Sequence, residues 1–184
     1  MDRSAGSLVG RDDCVLAVVD VQERLLPHIH EGERVVEAVV KLARFAKIVG
    51  IPILWAEQEK LGPTPAPIRA ELSDLEPFGK ACFGCLGSDA FRERLEALVG
   101  RRTVVVCGVE AHICVAQTAL QALATHRVHV VADAVGSRTP ENRAIALDRL
   151  RQAGATVTST EMFFYEILRK AGTDEFRAVL PLVK

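Results

Sequence analysis

Residues Thr103 to Ala119 read TVVVCGVEAHICVAQTA, and this stretch decides the fold. The run Thr103–Cys107 is continuous, apolar and rich in β-branched residues, the pattern of a strand buried on both faces of a parallel sheet. Gly108 then leads into a short turn, and Cys114 stands where a helix begins. A strand passing into a helix through a tight turn is the core of a βα unit. The first N–H groups of a helix lack partners and the macrodipole is positive at that end. The position therefore predicts a thiol pKa below its usual value of about 8.5, and N–H groups placed to hold an oxyanion.

Outward from this stretch, apolar runs alternate with segments of helical spacing. The strand candidates are Cys14–Val19, Pro52–Ala56, Thr103–Cys107, Val128–Val131 and Ala155–Thr158. Helices are expected over Gly32–Val49, closed by Gly50 and Pro52, and over Ser88–Leu98, Cys114–Thr125, Pro140–Ala153 and Glu161–Lys170. This alternation predicts an α/β fold: a three-layer, doubly wound, Rossmann-like and mainly parallel sheet with helices on both faces. One stretch departs from it. Gln58 to Gly79 carries Gly62, Pro63, Pro65, Pro67 and Pro77, and reads as a long ordered loop with a short helix near Ile68–Leu72, crossing the carboxyl ends of the strands. Ligands bind at those ends in open α/β sheets, and loops of this length are commonly functional.

A chain of 184 residues supports one sizeable core, so residues 1–184 are read as a single domain, with 1–12 as a flexible N-terminal segment. Hydrophobic residues make up 49% and charged residues 26%, an aliphatic-leaning globular composition. The formal net charge is −1 with both signs interspersed, which gives no electrostatic footprint for nucleic acid or an anionic membrane. Apolar runs are of strand length, far short of the roughly 20 residues that span a bilayer. The opening MDRSAGSLVGRDD has no apolar stretch suited to a signal peptide, so a cytoplasmic location is expected. In that compartment the five cysteines, at 14, 82, 85, 107 and 114, are expected as free thiols.

Two more segments bear on Cys114. In VLAVVDVQ an unbroken apolar strand stops at Asp20, and in FGKACF the charge of Lys80 is surrounded by Phe78, Gly79, Ala81 and Phe83. A strand-end Asp capping a turn and a solvated surface Lys are the plain alternatives. An ammonium in apolar surroundings needs a carboxylate partner, and Asp20 is the candidate. Together the three residues provide the parts for covalent amide hydrolysis: a thiol nucleophile, a base to take its proton, and a cation to hold the base.

In this order VVDVQ, FGKACF and GVEAHICV resemble the motifs of the isochorismatase-like cysteine hydrolase superfamily, which includes nicotinamidases and N-carbamoylsarcosine amidohydrolases. The resemblance spans about Val15 to about Lys170. It implies an Asp20–Lys80–Cys114 triad, a doubly wound sheet, a cis peptide at Val109–Glu110, oxyanion donors at the N–H groups of Glu110 and Cys114, and a homo-oligomer, dimer or higher. Metal-dependent nicotinamidases share an Asp-x-His and a further His after the second strand. This chain has WAEQEKLGPTP there and no histidine between His30 and His112, so no metal and no cofactor are expected. Isochorismatases proper lack the cysteine, which makes a carbonyl C–N compound the expected substrate. Glu57-Gln58 and the GPT at 62–64 look most like the isochorismatase-domain branch.

Other residues have competing readings. Cys82-Phe83-Gly84-Cys85 is a C-x-x-C, readable as a redox pair, as part of a zinc site with His112 and Cys114, or as small residues lining a pocket beside Lys80. Trp55 reads as core or as an aromatic wall. Gln22, Trp55, Glu57, Gln58, Phe83 and His112 are the candidate substrate contacts. Arg138, in GSRTPEN before a helix, suggests no chemistry. No dinucleotide or phosphate-loop glycine motif is present. The sequence thus predicts a hydrolase of a small amide, carbamoyl or related C–N substrate acting through a thioester. The alternatives are a thiol redox or sensing protein using Cys82 and Cys85 or Cys114, and a non-catalytic interaction subunit.

Overall fold

The computed structural model describes residues 8–184. Six strands, β1 (Cys14–Val19), β2 (Ile53–Gln58), β3 (Phe78–Lys80), β4 (Thr103–Val109), β5 (Arg127–Gly136) and β6 (Thr156–Thr158), form one sheet in the order β3-β2-β1-β4-β5-β6. Every neighbouring pair is parallel. The chain enters at the centre, winds out to β3, returns to β4 and winds out to β6. The reversal between β1 and β4 is the switch point at which such sheets bind ligands.

Both faces of the sheet are covered, and β1 shows how. Cys14, Leu16 and Val18 pack into the core under α1 (Gly32–Val49), α2 (Ala66–Glu71), α6 (Thr160–Leu168) and α7 (Asp174–Val183). Val15, Ala17 and Val19 face the opposite core, built with α3 (Asp89–Glu96), α4 (Ala116–Ala122) and α5 (Pro140–Gln152). All six residues of β1 and all seven of β4 are buried, so these strands have no polar face. At roughly 25 cal/mol per Å² of apolar surface removed from water, the two central strands are where the sheet is held hardest.

The alternation predicted from sequence is therefore present, with two additions. Gln58 to Gly79 is not one loop: β2 runs through Gln58, and Gly79 lies in β3, which pairs Ala56, Glu57 and Gln58 with Phe78, Gly79 and Lys80. α7 closes the chain against α1 and α6. At the N-terminus, residues 1–7 of the segment expected to be flexible lie outside the described residues. Residues 8–12 are not free: Val9 is buried, its N–H donates to Glu166 Oε1 at 2.7 Å, and its carbonyl accepts from Arg169 Nη2 at 2.7 Å.

Gly108 allows β4 to reach the site. A Cβ there would lie 2.0 Å from the carbonyl oxygen of Val19, and the residue has a φ of +116° that a side chain disfavours. The β4–β5 register shifts between Val106 and Gly108, so the end of β4 is re-aimed where the turn to Cys114 begins.

Candidate active site

Asp20 is the first residue past β1. It is fully buried, adopts a left-handed φ of 50°, and donates its N–H to the carbonyl of Ala56 at 3.1 Å. Lys80 ends β3, two strands away. Its ammonium reaches Asp20 Oδ2 at 2.6 Å, Gln58 Oε1 at 2.9 Å, the carbonyl of Cys82 at 3.1 Å and that of Phe83 at 2.9 Å. Neither side chain of the pair is exposed to water. Burying two charges is costly, so such a pair persists only where good geometry and further hydrogen bonds satisfy both ions, and Lys80 has four oxygens around it.

The other carboxylate oxygen, Asp20 Oδ1, has no hydrogen-bond partner among the described residues. The neighbour on that carboxylate is the Cys114 thiol, close enough for each group to shift the titration of the other. Burial raises the pKa of Asp20 above the ordinary carboxylate range, opposed by Lys80 and by contacts with Cys114 and the Gln58 backbone. Cys114 departs from the sequence expectation in two ways. It lies in a π-helical turn, Ala111–Val115, that precedes α4. Its thiol is pushed up to about 12, first by burial and then by the charge and hydrogen bonding of Asp20, against a lowering by Lys80. In the resting site an adjacent carboxylate and a dry environment outweigh a helix end.

The turn has other distinctive features. The Val109–Glu110 peptide is cis. The carbonyl of Glu110 accepts from the N–H groups of Ile113 and Val115. Outside the helix and strand ladders, no hydrogen bond from the N–H groups of Glu110 and Cys114 is found among the described residues. The carbonyl of Cys114 accepts from Thr118 Oγ1 at 2.7 Å, and that hydroxyl in turn accepts from the N–H of Cys85 at 2.9 Å, which ties the cysteine to the loop that holds Lys80.

The candidate substrate contacts fall into two groups. Gln22 is buried: its amide donates to the carbonyls of Gln58 and Gly62 and its oxygen accepts from the N–H of Gln58. Glu57 accepts from the N–H of Thr64, and the buried Trp55 donates its indole N–H to Thr64 Oγ1 at 2.9 Å. Gln58 bridges Lys80 and the carbonyl of Ala81. These four brace the loop over the strand ends. Phe83 is 55% exposed beside the carbonyl cage of Lys80, and His112 shares the turn of Cys114 with Nδ1 3.0 Å from Ser137 Oγ.

Arg138, set aside on sequence, holds Glu110. Its N–H and Nε reach Glu110 Oε2 at 3.2 and 3.1 Å, and Nη2 reaches Oε1 at 2.6 Å. Burial pushes the Glu110 carboxyl up, but the Arg138 hydrogen bonds and charge outweigh it and hold the pKa below the ordinary range. Nothing local in GSRTPEN announces this, because the two residues are 28 apart in sequence and meet only through the pairing of β4 with β5. Cys82 and Cys85 are free thiols, and burial pushes Cys85 up to about 12. Among the described residues no group of three or more His, Cys, Asp and Glu is arranged to hold a metal ion, and no helix is long and apolar enough to cross a membrane.

Residues 14–162 match the isochorismatase domain family. The secreted isochorismatase effector Isc1 of Phytophthora sojae is 35% identical over 176 residues, covering 92% of this chain and 84% of the relative. Isochorismatase domain-containing protein 2A of Mus musculus is 32% identical over 178 residues, covering 94% and 84%. Among solved structures, the MAR1 ribonuclease of Caenorhabditis elegans superposes with a TM-score of 0.88 at 28% identity, covering 96% of this chain and 92% of that one.

Proposed function

We propose that this chain, which belongs to the isochorismatase family, is a cysteine-dependent hydrolase that cleaves a C–N bond in a small amide, carbamoyl or related substrate through a thioester. The observation that carries the reading is the buried Asp20–Lys80 pair at 2.6 Å, with the Cys114 thiol beside the same carboxylate and its Oδ1 left without a partner among the described residues.

Asp20 takes the thiol proton as Cys114 Sγ attacks the substrate carbonyl, so the sulfur never has to exist as a free thiolate in a site that disfavours one. The new C–S bond places the negative charge on the carbonyl oxygen, where the N–H groups of Glu110 and Cys114 receive it. Collapse breaks the C–N bond and the leaving amine carries off the proton held by Asp20. Water then gives a proton to Asp20 and attacks the thioester. The acid leaves, and the proton returns to sulfur. Lys80 keeps its place throughout, holding Oδ2 and so keeping the carboxylate beside the thiol.

The net charge of −1 and the enclosure of Lys80 by four oxygens favour a small uncharged carbonyl compound over a phosphodiester. A redox role for Cys82 and Cys85 is less well supported, since burial raises the Cys85 thiol and its hydrogen-bond neighbour is the Thr118 hydroxyl, not a carboxylate able to take its proton as Asp20 can for Cys114. We also propose a homo-oligomer, in which the exposed ring of Phe83 is covered by a partner subunit beside the site. A cytoplasmic location is proposed on the five free cysteines.

The test is a panel of small primary amides, ureas and carbamoyl compounds, read by ammonia release and by mass spectrometry after acid quench. Turnover with an acyl mass on Cys114, both lost in Cys114→Ala, supports the reading. A wild-type protein that releases no product and carries no adduct across the panel overturns it and favours the non-catalytic subunit.

A further inference from the structure

The turn that carries Cys114 is held from outside by two consecutive residues of another loop. Ser137 and Arg138 follow β5 and precede α5. Ser137 Oγ meets His112 Nδ1 at 3.0 Å, and its carbonyl accepts from the N–H of His30 at 2.9 Å. Arg138 grips the Glu110 carboxylate with three hydrogen bonds, two of them from its side chain in a fork that matches the two carboxylate oxygens. The Glu110 side chain is 4% exposed and that of Arg138 is 55% exposed. The clamp thus has its acceptor inside the site wall and its donor at the surface.

We propose that Arg138 is a positioning residue for the oxyanion hole, acting through Glu110; this rests on the cysteine-hydrolase reading above. A carboxylate fixed at both oxygens cannot swing, and the peptide N–H of the same residue is fixed with it. That N–H is one of the two proposed oxyanion donors. Removing one such donor costs about 10²–10³ in kcat, and a misplacement of about 1 Å costs about 10². Arg138 touches no reacting atom. Its effect is on where the Glu110 N–H points.

The experiment compares two reactions of the same sulfur. Amide hydrolysis passes through an oxyanion, whereas alkylation by iodoacetamide displaces iodide at a saturated carbon and forms none. Arg138→Ala is expected to lower kcat about 10²-fold with KM within about threefold of wild type, while alkylation of Cys114 stays within twofold. Arg138→Lys keeps the charge but loses the fork, and is expected to recover only part of kcat. Glu110→Gln combined with Arg138→Ala is expected to cost no more than Arg138→Ala alone, because both break one unit. Hydrolysis at the wild-type rate in Arg138→Ala overturns the inference and leaves the cysteine mechanism standing. Equal loss of hydrolysis and alkylation overturns it too, because the clamp is then a general support. A wild-type protein without turnover on any amide removes the mechanism and the inference together.

Discussion

Two buried carboxylates stand near Cys114, Asp20 beside its thiol and Glu110 just before the turn that carries it, and their environments drive them in opposite directions. Asp20 is paired with a lysine as buried as itself, and desolvation wins, so its pKa rises. Glu110 is also shielded but lies less deep, its partner is a half-exposed arginine with a fork of donors, and the pKa falls. Two titratable groups of one chemistry are thereby pushed apart, the pattern the proposed mechanism needs for a proton carrier and a permanent charge. A carboxylate whose pKa is raised is a better base toward a thiol. A carboxylate held ionised is a better anchor. The difference comes from the greater depth of Asp20 together with the geometry and charge of the partner at Glu110.

The strongest way to break the comparison is to remove Asp20, the proposed base. Asp20→Asn is expected to lower amide turnover by about 10²–10⁴. It is expected to raise alkylation of Cys114 by iodoacetamide near pH 8, because Asp20 raises the thiol pKa and Lys80 lowers it, and only the second effect survives. Rates moving in opposite directions mark Asp20 as the base, and rates falling together would mark it as packing. In the wild type, kcat/KM is expected to rise with pH through an acid limb above the ordinary carboxylate range of about 4, since Asp20 must be unprotonated to act. A limb at or below that range would sink the base assignment.

Removing the cation tests the same side. Lys80→Met leaves Asp20 buried beside no cation and is expected to destabilise the fold by about 3–5 kcal/mol, read as a lowered urea midpoint with an unchanged slope. The midpoint is expected to recover partly as the pH is lowered and Asp20 takes a proton. A smaller loss follows from Gln58→Leu. It withdraws one of the four oxygens around the ammonium and is expected to cost about 1–3 kcal/mol, with the Asp20–Lys80 contact retained.

The two carboxylates also differ in how far the sequence displayed them. Asp20 was legible because an all-apolar strand that ends on an acid is conspicuous, and Lys80 because its neighbours are apolar. The central strands were legible for the same reason, since burial on both faces leaves an unbroken run. β3 was not, as three residues with Gly at the centre and Pro77 before them have no periodicity to read. α7 was hidden by Pro181 within its last turn. The π-helical turn and the raised thiol depend on local hydrogen bonding and on what surrounds the sulfur, which spacing along the chain does not encode. The Arg138–Glu110 clamp depends on strands β4 and β5 being neighbours, and a reading of one loop at a time does not bring them together.

The smallest expected effect sharpens the comparison from the Glu110 side. Glu110 has a folded-state pKa below its unfolded value, so its contribution to stability is present above about pH 4.3 and is lost as the pH falls through the lowered folded value. Asp20 has the opposite sign. Its raised pKa means that protonation favours the fold, a contribution present below about pH 3.9 and lost as the pH rises through the raised value. Between pH 6 and pH 3 the two groups therefore pull the melting temperature in opposite directions. Glu110→Gln removes one of them and is expected to flatten the acid-side fall of Tm by a few degrees, with little change at neutral pH. Arg138→Ala leaves the carboxyl with only the backbone N–H of residue 138, so burial raises its pKa, and the variant is expected to lose Tm near neutral pH and to regain part of it as acid protonates Glu110. If Tm falls with acid identically in Glu110→Gln and in wild type, the clamp is not holding Glu110 ionised, and the contrast with Asp20 reduces to two buried acids that differ only in position.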